Sequence, residues 1–299
     1  MSANSASPIW RLVLPGAGPI VPLNESGDGA PFYCVHSVGG DVTSFLDLAQ
    51  ALEPYCQFYG IQVPREKLTA SFAASIELMA QYYVEALMSF QPEGPFFLGG
   101  WSAGAVIALE IANKLRYSGR DVQLLVAIDG GPGNTHENIL RRVLIYLWRF
   151  ICNLPRWIKN DLIAGHDFQK LAKLVWRKTR RAAMRFVPLS DNLAHGHAID
   201  GFMDTTGWSN GEIIFTRAFF DTARVYTAGK YQGHVVLYVA RTQPLLHLQQ
   251  SEASWKKIAE SVEIIYVEGT HWSILRSPRV VALAKHLGGR LGPPATRAT

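Results

Sequence analysis

The 299-residue sequence contains few cysteines, and no uninterrupted apolar run approaches the roughly 18 residues that a membrane-spanning helix needs. Cys34, Cys56 and Cys152 are scattered without C-x-x-C spacing, which argues against a disulfide framework and a thiolate metal site. Residues 1–15 lack the basic start and the continuous apolar core of a signal peptide. We therefore expect a cytoplasmic protein with no membrane-spanning helix and no bound metal.

Charged residues are also scarce, at 18% of the chain against about 25% in an average soluble domain, so a chain disordered by charge repulsion is not expected. The net charge of +5 is local, because residues 141–185 hold 12 Lys and Arg but only 2 acidic residues. The remainder holds 17 basic and 22 acidic residues. A mildly acidic protein with one basic segment is a poor match to a nucleic-acid-binding protein whose surface is basic throughout.

Short apolar runs alternate with amphipathic helical patterns over most of the chain. This alternation predicts an α/β fold in which helices flank a mostly parallel sheet. The predicted strands are 31–36, 57–63, 95–99, 122–128, 235–240 and 263–267. The predicted helices are 44–52, 70–90, 104–117 and 279–287.

The alternation stops near Gly130 and resumes near Val235, which divides the chain into a core and an insertion. We predict a core formed by residues 29–130 and 231–288, interrupted by a helical lid at 131–230 over a site at the sheet's edge. The Gly- and Pro-rich residues before the core indicate a linker or arm over 1–28, and residues 289–299 indicate a flexible tail.

The strongest local feature is the G-x-S-x-G sequence of residues 100–104, GWSAG, which lies between a predicted strand and a predicted helix. This pattern allows a sharp strand-to-helix turn that exposes the hydroxyl of its serine. The pattern also occurs by chance, but the apolar strand before it and the helix after it are the context that such a turn requires. Ser102 is therefore the predicted nucleophile, and the alternative is a serine that only caps the helix.

A serine nucleophile needs a base, and in folds of this kind the chain order is serine, acid, histidine. His271 follows the last predicted strand, where a loop can direct it towards Ser102, and it is the predicted base. His286 falls within the final predicted helix, His234 precedes a strand, and His247 lies in a loop without a matching partner.

Asp129 directly follows the apolar strand 122–128 and is the predicted acid of the triad. The alternative is an aspartate that caps the following turn. The other place for such an acid is after the next strand, but residues 240–244 contain no carboxylate, and Glu268 is a distant fallback.

An oxyanion hole of this type uses two main-chain N–H groups, one from the residue after the nucleophile and one from a loop after an early strand. Ala103 supplies the first. Val38, in the glycine-rich loop after the first predicted core strand, is the predicted second donor, with Ser37 as its neighbour. His36 precedes the serine in the chain, so we expect it to orient this loop and not to act as the base.

The sequence resembles the thioesterase domains that terminate nonribosomal peptide and polyketide synthases, over about residues 28–288 and faintly in the lid. The resemblance is carried by PFYCVHSVGGDVTSF, SIELMAQYYVEAL, QPEGPFFLGGWSAGAVIALEIA, LLVAIDG and EGTHWSILRSP, which occur in that order. It implies an α/β-hydrolase fold with a helical lid. It also implies Ser102 as nucleophile, Asp129 as acid, His271 as base, and Val38 and Ala103 as oxyanion donors.

The resemblance further implies a serine thioesterase that binds no cofactor. It would release an acyl, peptidyl or polyketide chain from the phosphopantetheine arm of an acyl or peptidyl carrier protein, in cis or in trans, through an acyl-Ser102 intermediate. The resemblance does not decide between hydrolysis and cyclisation. Because the chain begins at Met1 and includes no carrier domain, it is either an excised domain or an independent protein. The alternative function is a carboxylester hydrolase or lipase with a membrane-facing basic lid.

The basic lid, with Trp148, Trp157 and Trp176, departs from what the resemblance implies. Its positive charge could guide an acidic carrier domain and bind the phosphate of its arm. It could instead lie on an anionic membrane, or simply form the solvated faces of amphipathic helices.

Overall fold

A computed structural model describes residues 18–24, 27, 29–133, 207–242 and 251–292. These residues form a seven-stranded sheet with the order β1-β3-β2-β4-β5-β6-β7. The strands are β1 Ile20–Pro22, β2 Gly29–Val35, β3 Cys56–Ile61, β4 Phe96–Trp101, β5 Val122–Ile128, β6 Tyr231–Thr242 and β7 Ala259–Thr270. All neighbouring pairs are parallel except β1 with β3, so the mostly parallel sheet predicted from the sequence is confirmed.

Helices cover both faces of this sheet. They are α1 Leu46–Leu52, α2 Ala70–Ala73, α3 Ile76–Phe90, α4 Gly104–Tyr117, α5 Asn210–Val225, α6 Ser251–Ile258 and α7 Val280–Leu291. Along β2, Tyr33 and Val35 join the core formed with α3, α4 and α5, whereas Phe32 and Cys34 join the core formed with α1 and α7. This alternation is the two-residue period of a strand that is buried on both faces.

The pattern over residues 70–90, predicted as one helix, divides into α2 and α3 at Ser75. The backbone of Ser75 is extended, with φ −142° and ψ 122°, and its hydroxyl accepts a hydrogen bond from the Leu78 N–H. Ser75 therefore caps a new helix instead of continuing the previous one, because its side chain satisfies an N–H that has no partner within the helix.

The predicted boundaries need two corrections. Strand β1 lies inside residues 1–28, predicted as an arm, because Ile20 and Val21 pair with the edge strand β3. Helix α7 continues to Leu291, which is buried, so it passes the predicted end of the core at residue 288.

Most of the predicted lid, from residue 134 to residue 206, lies outside the described residues. Within the predicted range 131–230, α5 is described, and its buried side chains Phe215 and Phe219 pack into the same core as α3 and α4. Among the described helices, none is both long enough and apolar enough to cross a membrane.

The N-terminus of α5 is stabilised by a side-chain cap that can be tested by substitution. Ser209 and Glu212 form a reciprocal capping box, in which the Glu212 N–H donates to Ser209 Oγ at 3.3 Å and the Ser209 N–H donates to Glu212 Oε2 at 2.6 Å. We expect Ser209→Ala to lower the free energy of unfolding by about 1 kcal/mol. The matched control is Ser89→Ala in α3, where the hydroxyl only donates to the Glu85 carbonyl, and a change within about 0.5 kcal/mol is expected. Equal urea midpoints for the two variants would contradict the capping role.

Candidate active site

Ser102 stands on a strained turn between β4 and α4. Its φ is +57°, a left-handed conformation that residues other than glycine seldom adopt. The Ser102 N–H donates to the Ile128 carbonyl at 2.9 Å, which joins the turn to the end of the neighbouring strand β5. The sharp strand-to-helix turn predicted from the sequence is therefore present at Ser102, at the carboxyl edge of the sheet.

The two glycines of G-x-S-x-G stand where main-chain segments approach each other closely. A Cβ on Gly104 would lie 2.1 Å from the His36 carbonyl oxygen, and one on Gly100 would lie 2.3 Å from the Gly104 carbonyl oxygen. No side chain fits at either position. The loop after β2 therefore packs directly against the first turn of α4, beside Ser102.

Asp129 and His271, the predicted acid and base, are brought together. Asp129 follows β5 with a φ of +46°, and His271 follows β7 two strands away. The His271 Nδ1 donates to Asp129 Oδ2 at 2.8 Å, while Asp129 Oδ1 accepts from the Ala240 N–H at 2.8 Å. The Asp129 side chain is 4% exposed and the His271 side chain 16%, so this hydrogen bond to a carboxylate is largely shielded from solvent. The other nitrogen of the ring, Nε2, makes no hydrogen bond to a described residue.

The turn that carries Asp129 is held by Trp255, a residue that sequence reasoning missed. The fully buried Trp255 donates its indole N–H to the Gly130 carbonyl at 2.9 Å. On its other side Gly130 packs against the Ser102 turn, because a Cβ there would lie 2.0 Å from the Ser102 carbonyl oxygen. Trp255 is distant in sequence and sits in an ordinary amphipathic helix, so no local signal points to it.

The turn that carries His271 is closed by reciprocal bonds between Thr270 and Ser273. The Thr270 N–H donates to Ser273 Oγ at 2.8 Å, and the Ser273 N–H donates to Thr270 Oγ1 at 3.3 Å. The Trp101 ring stacks on the imidazole of His271, with centroids 5.1 Å apart and planes 26° apart. Trp272, which is half-exposed, contacts the same imidazole edge to face at 5.3 Å. Sequence reasoning missed both aromatic contacts, although the two tryptophans adjoin predicted catalytic residues.

Ser102 is not joined to His271 by a hydrogen bond in the described part of the chain. Contacts of this kind are often long in an unliganded enzyme and tighten when substrate binds. The N–H groups of Val38 and Ala103, the predicted oxyanion donors, likewise donate to no group among the described residues.

The other candidates for the base and acid are engaged elsewhere. His286 contacts the Tyr238 hydroxyl at 2.9 Å through Nδ1, and His234 contacts Ser261 Oγ at 2.9 Å. Glu268 forms an ion pair with Arg241 at 3.0 Å. His247 lies outside the described residues. Within the described ranges, no group of three or more His, Cys, Asp or Glu side chains is placed to hold a metal ion.

His36 is buried completely and does not reach the nucleophile as a base. Its Nδ1 donates to the Ser37 carbonyl at 2.6 Å, and its Nε2 accepts from the Tyr83 hydroxyl at 2.8 Å. Burial lowers the pKa of His36 from 6.5 to about 4, although the Ser37 carbonyl and Asp41 oppose this shift. The ring is therefore neutral near pH 7.

The sheet order, the strained serine turn and the acid–histidine pair at the carboxyl edge define an α/β-hydrolase fold, as predicted. More specifically, residues 30–142 match the family model of the thioesterase domain, so the resemblance noted in the sequence is confirmed. That match covers Ser102 and Asp129, the predicted nucleophile and acid, but ends well before His271.

Curated relatives are similar over a part of this chain. Polyketide synthase PksR of Bacillus subtilis (strain 168) is 37% identical over 120 residues, which are 40% of this chain and 5% of the relative. A dimodular nonribosomal peptide synthase of the same organism is 31% identical over 115 residues, which are 38% of this chain and 5% of the relative. The chain therefore matches only a small part of the length of these relatives.

A solved structure extends the likeness to the whole fold. The thioesterase domain SrfTE, whose structure addresses cyclisation of the lipopeptide antibiotic surfactin, superposes with a TM-score of 0.56 and 15% identity. The superposition covers 92% of this chain and 96% of that one. At this identity the likeness establishes the shared fold.

The close approach at Gly104 predicts a specific sensitivity. We expect Gly104→Ala to lower the free energy of unfolding by about 2 kcal/mol, although alanine is the better helix former, because its Cβ would displace the His36 carbonyl. The control is Gly229→Ala, where a Cβ meets nothing within 4 Å and a change within about 0.5 kcal/mol is expected. Thermal unfolding of the two variants measures the difference, and an unchanged midpoint in Gly104→Ala would contradict the close approach.

The neutral state of His36 predicts a pH dependence of stability. The unfolded chain binds a proton at this site below about pH 6.5, whereas the folded protein does so only near pH 4. This contribution to stability is therefore complete above pH 6.5 and is lost as the pH falls towards 4, by at most about 3 kcal/mol. Urea unfolding across this range should show a shallower pH dependence in His36→Asn than in the unaltered protein. Parallel pH profiles would refute the assignment.

Proposed function

We propose that the protein is a serine thioesterase that releases an acyl, peptidyl or polyketide chain from the phosphopantetheine arm of a carrier protein. The observation that carries the proposal is the hydrogen bond of 2.8 Å between His271 and Asp129, at the sheet edge where Ser102 stands on its strained turn. The thioesterase-domain match and the synthase relatives supply the substrate class.

In the first step His271 Nε2 takes the proton of Ser102 Oγ as this oxygen attacks the thioester carbonyl. Asp129 stays ionised; it holds the tautomer and stabilises the imidazolium that forms. The charge on the carbonyl oxygen is stabilised by the N–H groups of Val38 and Ala103, each worth about 3 kcal/mol in the transition state. The C–S bond then breaks, and the departing thiolate takes the proton from His271.

In the second step the acyl-Ser102 ester is attacked by water or by an amine or hydroxyl of the bound chain itself. His271 takes the proton of this nucleophile and returns it to Ser102 Oγ as the ester bond breaks. Water gives a free acid, whereas an internal nucleophile gives a ring. Mass spectrometry of the product released from an acylated carrier protein distinguishes the two, because cyclisation leaves the product one water lighter.

We place the reaction in the cytoplasm, on a carrier domain in cis or in trans. The thiols of Cys34 and Cys56 are buried and unpaired, and burial raises the pKa of the Cys56 thiol to about 12. Both cysteines are therefore packing residues, as expected in a reducing compartment. The role of the basic segment in docking a carrier domain stays a prediction, since residues 141–185 lie outside the described ranges.

The alternative function, a carboxylester hydrolase or lipase, is not favoured, because this chain matches the thioesterase-domain model and its relatives are polyketide and nonribosomal peptide synthases. Hydrolysis of an acyl-pantetheine thioester is compared with that of the matched oxygen ester under the same conditions. If the protein is a thioesterase, we expect a higher kcat/KM for the thioester than for the oxygen ester. A strong preference for the oxygen ester would overturn the proposal.

Substitutions of Ser102, Asp129 and His271 test the mechanism. We expect Ser102→Ala and His271→Ala to lower kcat by about 10⁴-fold or more, and Asp129→Asn by about 10³- to 10⁴-fold, because the imidazole then loses its productive tautomer. The control is Asp121→Asn, an exposed carboxylate before the opposite end of β5, whose kcat should stay within about 2-fold. A fluorophosphonate should label the protein and fail to label Ser102→Ala. Activity retained by Asp129→Asn would point to another acid.

A further inference from the structure

The loop after β2 is organised around one carbonyl group, that of Ser37. This oxygen accepts from His36 Nδ1 at 2.6 Å and from the Gly40 N–H at 3.0 Å. A carbonyl can only accept, so Nδ1 carries the ring proton. The other nitrogen of the neutral ring is then an acceptor, and the Tyr83 hydroxyl donates to it at 2.8 Å. Two hydrogen bonds thus select one tautomer of His36.

The held carbonyl also determines where the next N–H points. The described cis peptide bonds are Gly94–Pro95 and Ser277–Pro278, so the Ser37–Val38 bond is trans. In a planar trans peptide the C=O and N–H bonds point in opposite directions. Because the Ser37 carbonyl points towards His36 and Gly40, the Val38 N–H points away from both of them. Among the described residues it has no acceptor.

The His36 ring is enclosed by aromatic side chains from two helices. It makes edge contacts with Tyr83 of α3 at 5.8 Å, and with Phe215 and Phe219 of α5 at 6.0 and 5.7 Å. These contacts leave the fully buried ring little freedom to rotate. Since the His36 carbonyl lies against Gly104, the held loop is also in contact with the helix that follows Ser102.

We propose that His36, with Tyr83, is a positioning residue that aims the Val38 N–H at the oxyanion formed during acyl transfer. The inference rests on the proposed function, because it assumes that Val38 is an oxyanion donor. His36 touches neither substrate nor Ser102; it acts through the Ser37–Val38 peptide. Without its Nδ1 proton that peptide keeps, among the described residues, the Gly40 N–H as its one remaining hydrogen-bond donor, and the Val38 N–H can turn out of line.

A misaligned oxyanion donor weakens binding of the transition state and leaves binding of the ground state nearly unchanged. Loss of a whole donor costs about 10²- to 10³-fold in kcat, which sets the upper limit for losing its alignment. We therefore expect His36→Leu to lower kcat by about 30- to 300-fold with KM within about 3-fold. Because a smaller folded fraction alone would also lower the apparent kcat at constant KM, kcat is referred to the concentration of folded protein in each variant.

Conservative variants separate the hydrogen bond from the packing. In His36→Asn the amide nitrogen sits as many bonds from Cα as Nδ1 does, so it can still donate to the Ser37 carbonyl; kcat should stay within about 10-fold of the unaltered protein. In His36→Gln the amide is one bond further out, and the loss should approach that of His36→Leu. Tyr83→Phe keeps the ring but not the donor to Nε2, and should lower kcat by about 3- to 10-fold. Tyr82→Phe is the control, since Tyr82 contacts the Tyr83 ring from the same helix.

The experiment measures kcat and KM on an acyl-pantetheine thioester, together with the second-order rate constant for labelling of Ser102 by a fluorophosphonate. The labelling reaction builds charge on a phosphoryl oxygen in the same hole, so both readouts should fall in parallel across the variants. Near-UV circular dichroism verifies the fold of each variant. If His36→Leu does not fold, Tyr83→Phe and the Asn–Gln pair decide.

The inference is overturned if Tyr83→Phe matches Tyr82→Phe and His36→Gln matches His36→Asn in both readouts. It is also overturned if kcat and KM change together. Failure of the proposed function has a different signature. In that case the unaltered protein would not hydrolyse the thioester, or Ser102→Ala would hydrolyse it equally well. The labelling rates would still report on the alignment of the Val38 N–H.

Discussion

The contact on which the site depends is the one between two stretches of main chain, the loop after β2 and the first turn of α4. A Cβ on Gly104 would lie 2.1 Å from the His36 carbonyl oxygen, so these stretches meet with no side chain between them. Because Ser102, the predicted nucleophile, directly precedes the N-cap of that helix and the predicted oxyanion donor belongs to that loop, their separation is set by backbone contact. Backbone positions vary less than rotamers do, and this suits a site whose donors must meet a charge that exists only briefly.

Around this contact the protein fixes the positions of Asp129 and His271, the predicted acid and base, through hydrogen bonds and ring stacking. Asp129 is held by the Ala240 N–H, and its turn by the Trp255 indole. His271 is held by Asp129 and stacked on Trp101. Each support is buried or nearly so, where a hydrogen bond is strong and an unmade one is costly. The strained φ angles of Ser102 and Asp129 persist because these supports determine both turns.

Features that leave a local pattern could be predicted from the sequence. Strand β5 was predicted with its observed bounds, Val122–Ile128, because a strand buried on both faces reads as a continuous apolar run. The sharp turn at Ser102 was predicted because its glycines, the strand before it and the helix after it are adjacent in the sequence. The pairing of Asp129 with His271 followed from placing both after strands, since the carboxyl ends of parallel strands meet at one edge of the sheet.

Features that depend on contacts between distant residues could not be predicted in this way. Strand β1 has only three residues and is defined by its pairing with β3. Such a short strand leaves no alternating pattern, and its Gly- and Pro-rich surroundings therefore led to the prediction of an arm. Trp255 reaches Gly130 across 125 positions, and Tyr83 reaches His36 across 47. In both cases a residue that reads as ordinary helix core holds a loop of the site.

Helix α5 gives this arrangement a consequence for how such enzymes diversify. It belongs to the stretch between β5 and β6 and lies beyond residues 30–142, which match the thioesterase-domain model, yet Phe215 and Phe219 enclose His36, the residue proposed to hold the oxyanion loop. The inserted stretch is therefore not a module that can be exchanged freely. A chimera that takes a new insertion should rejoin the parental chain before Ser209, so that the helix returning to the sheet stays with the scaffold it was selected with. The insertion can then vary while the geometry around Ser102, Asp129 and His271 is kept.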